Sequence, residues 1–178
     1  MINQKNLEQF NRIYDETYNN TLKFIVCKCS NMEDVNDILQ ETYLEIYNSI
    51  KKARPINDYN KYILGIAKNK IRKYYGLLYR FKELSFFSND NNDIDLFNNL
   101  KSYVDIEKIV IETLDVENIW EHLKTKKINI QKIFYLYYQL GLTIKEIANE
   151  LNVSESYTKN CLYRTLKELQ EFLGKDCD

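Results

Sequence analysis

Glycine and proline are scarce in this chain, and their scarcity restricts its fold more than any other feature. Its 178 residues include four glycines and a single proline, Pro55. Strand-rich folds need turn residues at short intervals, whereas long helices do not. Since 44% of the residues are hydrophobic and 29% are charged, we also expect a well-formed core rather than general disorder. The sequence therefore predicts an all-α protein.

Charged residues are unevenly distributed, although the formal net charge is only −1. Between residues 51 and 82 every charged side chain is basic except Asp58, whereas acidic side chains predominate between residues 83 and 121. Such segregation indicates separate surfaces for partners of opposite charge. A solvated surface would carry the same charges, so the distribution alone does not identify a partner.

Several classes of protein are disfavoured by what the sequence lacks. It shows no apolar signal-peptide core and no stretch long enough to span a bilayer, so we expect a cytoplasmic protein. Cys27, Cys29, Cys161 and Cys177, with the single histidine His122, complete no zinc-ligand spacing, and packed, reduced thiols are expected. There is no glycine-rich phosphate loop. We therefore expect no metal, no cofactor and no enzymatic activity.

Helical periodicity and one polar segment organise the chain into two parts. In the first part, a helix from about Glu33 to Ile50 follows an earlier amphipathic helix and precedes a third that ends near Tyr75. Residues 88–93 are polar and turn-prone, as in a linker. We predict two small helical domains, residues 1–82 and 114–178, joined by an acidic linker, residues 83–113. The predicted core positions of the three helices are Phe10, Ile13, Tyr14, Tyr18, Leu22, Val35, Ile38, Leu39, Thr42, Tyr43, Ile46, Ile50, Tyr59, Tyr62, Ile63, Ile66, Ala67, Ile71 and Tyr74.

The second part contains the signals of a helix-turn-helix. A helix over about residues 130–140 ends at Gly141, and the segment from Thr143 to Glu146 is a capping box that opens a short helix. A tight turn follows at residues 152–154, where Ser154 is placed to cap the next helix. Two helices joined by a three-residue turn form a helix-turn-helix. The predicted core positions of these two helices are Ile144, Ile147, Ala148, Leu151, Thr158, Leu162, Thr165, Leu169 and Phe172.

The exposed side of the second of these helices has the composition of a DNA-reading face. A major groove admits one helix and displays the hydrogen-bonding edges of the bases. Ser156 and Asn160 are the expected base readers, and Lys159, Arg164 and Lys167 the expected phosphate contacts. The alternative is a plain helical hairpin with a solvated face. The full set of candidates is Ser156, Tyr157, Lys159, Asn160, Tyr163, Arg164 and Lys167.

These residues resemble a known module. Residues 141–148, then 153–155, and then Lys159, Leu162 and Arg164 are similar to region 4 of sigma-70-type transcription factors. The resemblance implies contacts with the minus-thirty-five promoter element and with the flap of the polymerase beta subunit. LuxR-type regulators have a similar motif, so this half alone does not distinguish an initiation factor from a regulator.

An acidic stripe on the second helix of the first part makes that distinction. The residues lie at helical spacing opposite the apolar face, and Leu44 interrupts the polar series as one exposed leucine. Such a stripe suits a basic partner, with Leu44 as an apolar anchor, although a solvated helix would also be charged here. Residues 34–47 resemble sigma region 2.2, which implies binding to the coiled coil of the beta-prime subunit. The candidates for core-polymerase binding are Asp37, Gln40, Glu41, Leu44 and Glu45.

The third helix and the loop before it supply a basic face. Residues 62–70 resemble sigma region 2.4, and residues 51–60 match the loop that holds a flipped base of the minus-ten element in that family. An aromatic platform with donors suits an unstacked base, although Tyr59 has an equal claim to be a core residue. A row of basic residues suits a phosphate backbone. The minus-ten candidates are Asn57, Tyr59, Lys61, Lys68, Asn69, Arg72 and Lys73.

Together the two resemblances identify the chain as a sigma factor of the extracytoplasmic-function (ECF) type. They imply core RNA polymerase and promoter DNA as partners, with an anti-sigma factor as a third. The sequence departs from the family pattern at Gly65, where arginine is usual, at Cys161, where a basic residue is common, and at Lys126 and Lys127 in place of Leu-Pro. These departures leave the promoter sequence open. The alternative function is that of a stand-alone helix-turn-helix regulator.

Overall fold

The computed structural model describes residues 4–85 and 116–173, and all regular structure within them is α-helical. The prediction of an all-α protein is confirmed. The chain divides into two compact units, Met1–Ser88 and Asn89–Asp178, and the predicted linker over residues 83–113 lies mostly outside the described residues. The helices of the described ranges are α1 (Gln4–Lys28), α2 (Asp34–Lys51), α3 (Tyr59–Ser85), α4 (Val116–Lys124), α5 (Ile128–Tyr138), α6 (Ile144–Leu151) and α7 (Glu155–Leu173).

The first unit is a bundle in which α1, α2 and α3 all pack against one another. Isoleucine dominates its core, because its branched side chain fills the space between helices without introducing a polar atom. Every apolar position predicted for α2 is buried, including Ile38 and Ile46, which are wholly inaccessible to solvent. Burying a side chain of this size stabilises the fold by about 1.5–3 kcal/mol. The inward side of α2 is therefore fixed, and so is the side that it presents to solvent.

A polar and aromatic cluster joins α1 to α2 inside this core. The hydroxyl of Tyr43 lies 2.9 Å from Thr17 Oγ1, and Thr17 also donates a hydrogen bond to the backbone oxygen of Ile13 at 2.6 Å. The Tyr43 ring packs against those of Phe10 and Tyr14, with centroid separations of 6.3 and 4.6 Å. Because the buried hydroxyls have partners, the cluster holds the two helices in one register without an unsatisfied polar group.

α3 begins at a side-chain cap and is interrupted near its end. Asp58 Oδ1 accepts a hydrogen bond from the backbone N–H of Lys61 at 3.0 Å, as an N-cap residue does. Gly76 then has φ 52° and ψ −129°, a conformation available essentially only to glycine, and a kink interrupts the helix there. The prediction that Tyr74 belongs to the core is wrong, because its side chain is 40% exposed. Tyr75 points inward instead and donates a hydrogen bond from its hydroxyl to Asp34 Oδ2 at 2.6 Å.

In the second unit, α5, α6 and α7 pack on one another around a core that includes Ile133, Phe134 and Leu136. α5 ends in the way that its glycine predicts: Gly141 has φ 64°, and the N–H of Leu142 donates to the carbonyl of Leu136 at 3.1 Å. The prediction that Phe172 is buried is wrong. Phe172 lies in the last turn of α7 with its ring centroid 4.7 Å from that of His122, and the residue stays 37% exposed.

Among the described residues, no helix combines the length and the apolar character needed to cross a bilayer. Nor do residues 4–85 and 116–173 hold a cluster of three or more His, Cys, Asp or Glu side chains arranged to bind a metal. Cys27 and Cys29 are buried in the first unit, Cys161 is half-buried on α7, and Cys177 lies outside the described residues.

Candidate nucleic-acid and polymerase interfaces

The helix-turn-helix of the second unit is built by local capping interactions. At the start of α6, the N–H of Glu146 donates to Thr143 Oγ1 at 3.3 Å, and Glu146 Oε2 accepts from the N–H of Thr143 at 2.8 Å. The reciprocal pair forms the predicted capping box. Asn152 then adopts a left-handed conformation, φ 55° and ψ 48°, and reverses the chain. Ser154 Oγ accepts from the N–H of Tyr157 at 3.0 Å, as the predicted cap of α7 requires.

α7 has a buried side and an exposed side, as predicted. Thr158, Leu162 and Thr165 are buried against the rest of the unit. The predicted base readers Ser156 and Asn160 are exposed on the other side, and so are the predicted phosphate contacts. Tyr157 and Tyr163 are half-buried between the two sides. The structure thus brings all seven candidates onto one helix, with the polar side chains outward: Ser156, Tyr157, Lys159, Asn160, Tyr163, Arg164 and Lys167.

Internal contacts already hold some of the cations on this helix. The ammonium of Lys159 lies 5.7 Å from the centre of the Tyr163 ring, and Arg164 Nε lies 3.5 Å from Glu168 Oε1. Lys126 Nζ approaches Glu168 Oε2 at 2.7 Å. The hydrogen bond from Lys126 holds the pKa of the Glu168 carboxyl below its ordinary value, against the effect of burial and with the help of Arg164. Since Arg164 is exposed and its ion pair is long, its guanidinium can leave Glu168 for a phosphate.

The Lys126–Glu168 pair was missed by the sequence reasoning, in which Lys126 figured only as a departure from the family pattern. The two residues are 42 positions apart, so no periodicity relates them. In the structure, Lys126 ties the segment between α4 and α5 to the last turns of α7. This ion pair links that segment to the candidate DNA-reading helix.

The acidic surface of α2 consists of Asp37, Gln40, Glu41, Leu44 and Glu45. All five lie on the side of the helix opposite its buried face. Glu41 is half-buried and the others are exposed. Leu44 has 55% of its side chain exposed, the largest value among the large hydrophobic residues that the structure describes as exposed. More than half of this apolar residue is thus available to a partner protein, with polar side chains around it.

Lys70 of α3 borders this acidic surface. The sequence does not predict this position, because there Lys70 is simply one of the basic residues between positions 51 and 82. Its ammonium lies 3.3 Å from Glu41 Oε2 and 3.1 Å from Glu45 Oε2. Burial lowers the pKa of Lys70, but the hydrogen bonds and charges of Glu45 and Glu41 outweigh that effect, and the net pKa is raised. Lys70 thus fixes the positions of two carboxylates that the sequence assigned to partner binding.

The remaining basic residues of α3 form the candidate minus-ten face. Asn69, Arg72 and Lys73 are exposed, and Lys68 is half-buried. Lys61, also exposed, pairs with the capping residue Asp58 at 3.4 Å. Gly65 lies among them with no atom within 4 Å of the position that a Cβ would occupy, so no close contact demands a glycine there.

Asn57 and Tyr59 stand where the loop meets α3. Asn57 is exposed. Tyr59 is half-buried, and its hydroxyl accepts a hydrogen bond from Gln9 Nε2 of α1 at 2.8 Å. The hydroxyl is therefore engaged within the unit, while part of the ring stays accessible. This geometry is compatible with both roles considered for Tyr59, support for the bundle and a platform for a base.

Comparison with known proteins places these surfaces in context. Residues 131–169, which include the helix-turn-helix, match the family model of sigma-70 region 4. The chain is 23% identical over 168 residues to the ECF RNA polymerase sigma factor SigX of Bacillus subtilis (strain 168), a match covering 93% of this chain and 84% of that protein. It is 24% identical over 149 residues to the RNA polymerase sigma factor HrpL of Pseudomonas syringae pv. syringae, covering 83% of this chain and 78% of that protein. Matches of this length must extend into the first unit, which does not favour a stand-alone regulator.

Proposed function

Because the chain is a sigma factor of the ECF group in the sigma-70 family, we propose that its first unit docks on core RNA polymerase and that both units read promoter DNA. The observation that carries the proposal is the acidic surface of α2 with Leu44 exposed in its middle. DNA binding alone accounts for a basic face, whereas an exposed leucine within an acidic surface suits contact with a basic protein partner. A factor that must bind both a protein and DNA needs surfaces of both kinds.

The acidic surface is proposed to bind the coiled coil of the polymerase beta-prime subunit. Asp37, Glu41 and Glu45 offer carboxylates to a basic partner, and Gln40 offers an amide. Leu44 supplies the apolar contact, and transferring its exposed half out of water is worth about 1 kcal/mol. Charge complementarity would speed the encounter and select the partner, while the leucine would slow dissociation.

The basic face of α3 is proposed to follow the melted minus-ten element. Lys61, Lys68, Arg72 and Lys73 supply positive charge at helical spacing, and Asn69 supplies an amide. Each neutralised phosphate releases counterions, so this contribution to binding should weaken as salt rises. Asn57 and the accessible part of the Tyr59 ring are proposed to hold one unstacked base.

α7 is proposed to enter the major groove at the minus-thirty-five element. Ser156 and Asn160 lie near its N-terminal end, where recognition helices contact base edges. Lys159, Arg164 and Lys167 are proposed as phosphate contacts, with Tyr157 and Tyr163 beside them. The phosphate contacts would set the register of the helix, and the base contacts would set the sequence that it prefers.

The family also suggests further partners and a cellular location for this chain. Sigma factors bind core polymerase and promoter DNA and are not a class of enzymes. We propose that this chain has no catalysis of its own and needs no cofactor, that its second unit also contacts the beta flap, and that an anti-sigma factor restrains it in the cytoplasm. The predicted domain bounds, residues 1–82 and 114–178 with the acidic linker over residues 83–113, are part of the same proposal.

Reconstituted transcription tests the proposed function. The purified chain, added to core polymerase, should give a run-off transcript from cognate promoters and little duplex binding by itself. A variant with Glu41→Lys and Leu44→Ala should lose core binding and the transcript together, yet keep its helical circular-dichroism spectrum. Specific duplex binding without polymerase, with no transcript from any promoter of the set, would instead identify a stand-alone regulator.

A further inference from the structure

Tyr74 of α3 is an aromatic side chain that the fold leaves in solvent. Its side chain is 40% exposed, although the helical pattern predicts it to be buried. The next residue, Tyr75, takes the inward position, where its hydroxyl donates to Asp34 Oδ2 and accepts from the backbone N–H of Asn31. At this point the hydrogen bonds that attach α3 to the rest of the unit are therefore made by Tyr75.

The contacts between α2 and α3 place Tyr74 beside the acidic surface. Lys70 lies against Glu41 and Glu45, while Tyr75, five residues later, lies against Asp34. As α3 advances, its partners step backwards along α2, so the two helices are antiparallel. Tyr74 is one turn beyond Lys70 and thus lies opposite the turn of α2 that begins at Asp37.

Electrostatics agrees with this placement. Partial desolvation raises the pKa of the Tyr74 hydroxyl, and the charges of Asp37, Glu41 and Asp34 raise it further. The two ends of the acidic surface also differ in how far their negative charge is neutralised within the unit. Lys70 offsets the charge of Glu41 and Glu45, whereas Asp37 is exposed on the side of Tyr74. The strongest attraction for a cation should therefore lie between Asp37 and the Tyr74 ring.

We propose that Tyr74 is a further contact residue for core polymerase and that it receives an arginine side chain of the partner. The guanidinium would stack on the Tyr74 ring while donating two hydrogen bonds to the carboxylate of Asp37. Arginine suits this place better than lysine, because its planar, weakly hydrated cation stacks on aromatic rings and pairs with carboxylates through two hydrogen bonds. The inference rests on the proposed docking of α2 on polymerase.

A binding titration of the full chain with core polymerase tests this contact. Tyr74→Leu keeps an apolar side chain but removes the ring, and it should weaken the affinity about 2- to 30-fold, the range of a cation–π contact. Tyr74→Phe keeps the ring and should retain most of the affinity. Leu7→Ala is the matched control, since Leu7 is another large exposed apolar residue of the same unit but lies on α1, outside the acidic surface.

The outcomes distinguish a failure of the Tyr74 contact from a failure of the proposed docking of α2 on polymerase. If wild type binds core, the Glu41→Lys and Leu44→Ala variant does not, and Tyr74→Leu binds like wild type, then the role of Tyr74 is refuted while the docking surface stands. If wild type does not bind core, both proposals fail. Equal loss in Tyr74→Phe and Tyr74→Leu would assign the effect to the hydroxyl and overturn the stacked arginine.

Hydroxyl-radical footprinting of the wild-type chain gives a second measurement that does not depend on how a variant folds. Oxidation of Tyr74 should fall when core polymerase is added, while oxidation of Leu7 should not change. Equal oxidation of Tyr74 with and without polymerase would also overturn the proposal.

Discussion

Replacing Lys70 with glutamine tests whether the ion pairs between α3 and α2 stabilise the first unit. Lys70→Gln removes the ammonium that lies 3.3 Å from Glu41 and 3.1 Å from Glu45 while keeping a side chain of similar length. The two carboxylates, four residues apart on α2, then face each other without a cation between them. Lys73→Gln is the control, because Lys73 lies on the same helix but is exposed.

The expected loss is small because the carboxylates are partly exposed. The Glu41 and Glu45 side chains have relative accessibilities of 40% and 49%, so solvent screens both pairs. Pairs of this kind are worth at most about 1 kcal/mol, and like charges one turn apart on a helix cost about 0.2–0.5 kcal/mol. We expect Lys70→Gln to lower the free energy of unfolding by about 1 kcal/mol. For a unit of this size, that lowers the melting temperature by about 4–8 °C.

The single tryptophan makes the assay specific to one unit. Trp120 lies on α4 and packs against Tyr135, so its fluorescence follows the second unit, whereas circular dichroism follows both. Lys70→Gln should shift only the unfolding transition of the first unit. That transition appears in circular dichroism but not in Trp120 fluorescence. An unchanged transition, an equal shift in Lys73→Gln, or a shift that is as large in about 1 M salt as at low salt would refute the reasoning.

The pH dependence of the same variant has a definite sign. Lys70 has a raised pKa in the folded state, so its contribution to stability is complete below its ordinary value of 10.5 and is lost as the pH rises through the folded value. The difference in stability between wild type and Lys70→Gln should therefore be constant near neutral pH and should shrink in alkaline solution above about 10.5.

Three further substitutions, two of them paired with a control substitution, probe the two units. Ile38→Ala should lower the free energy of unfolding of the first unit by about 2–5 kcal/mol, because it opens a cavity at a wholly buried position. Its control, Leu44→Ala on the same helix, should change that free energy by less than about 0.5 kcal/mol. Equal effects of the two substitutions in circular-dichroism melts would contradict the assignment of the buried and exposed faces of α2. Thr143→Ala should cost the second unit about 1 kcal/mol through loss of its cap, and an unshifted urea transition in Trp120 fluorescence would argue against it. Asn152→Val should cost about 1–2 kcal/mol, since a branched side chain opposes its φ of 55°, whereas Asn152→Gly should unfold like wild type in the same assay.

Features specified within a few residues could be predicted from the sequence. The buried side of α2 follows from three- and four-residue spacing, and that spacing also placed Leu44 outward. The capping box at Thr143 and the cap at Ser154 depend on neighbours no more than three positions away. Because these signals are local, the helix-turn-helix and its exposed face could be placed before any coordinates were known.

Features that depend on another helix could not be predicted in this way. Tyr74 and Tyr75 are adjacent tyrosines, and the inward one is held by hydrogen bonds to Asp34 and Asn31, which are 41 and 44 residues from Tyr75. Lys70 is one lysine among several, and its two partners lie on another helix. The helical pattern of α7 continues to Phe172, but periodicity alone does not show that this residue stays 37% exposed. For the two tyrosines and for Lys70, the deciding partner is distant in sequence and carries no periodic signal.

The open space around Gly65 has a consequence for how this factor can change. A glycine inside a helix destabilises it by about 1 kcal/mol relative to alanine, and a Cβ at this exposed position would meet no neighbouring atom within 4 Å. Alanine at this position should make the first unit more stable, and arginine would extend the cationic row along α3 without disturbing the buried isoleucines. If α3 follows the melted strand as proposed, the arginine substitution should strengthen DNA binding, and like alanine it should also stabilise the helix.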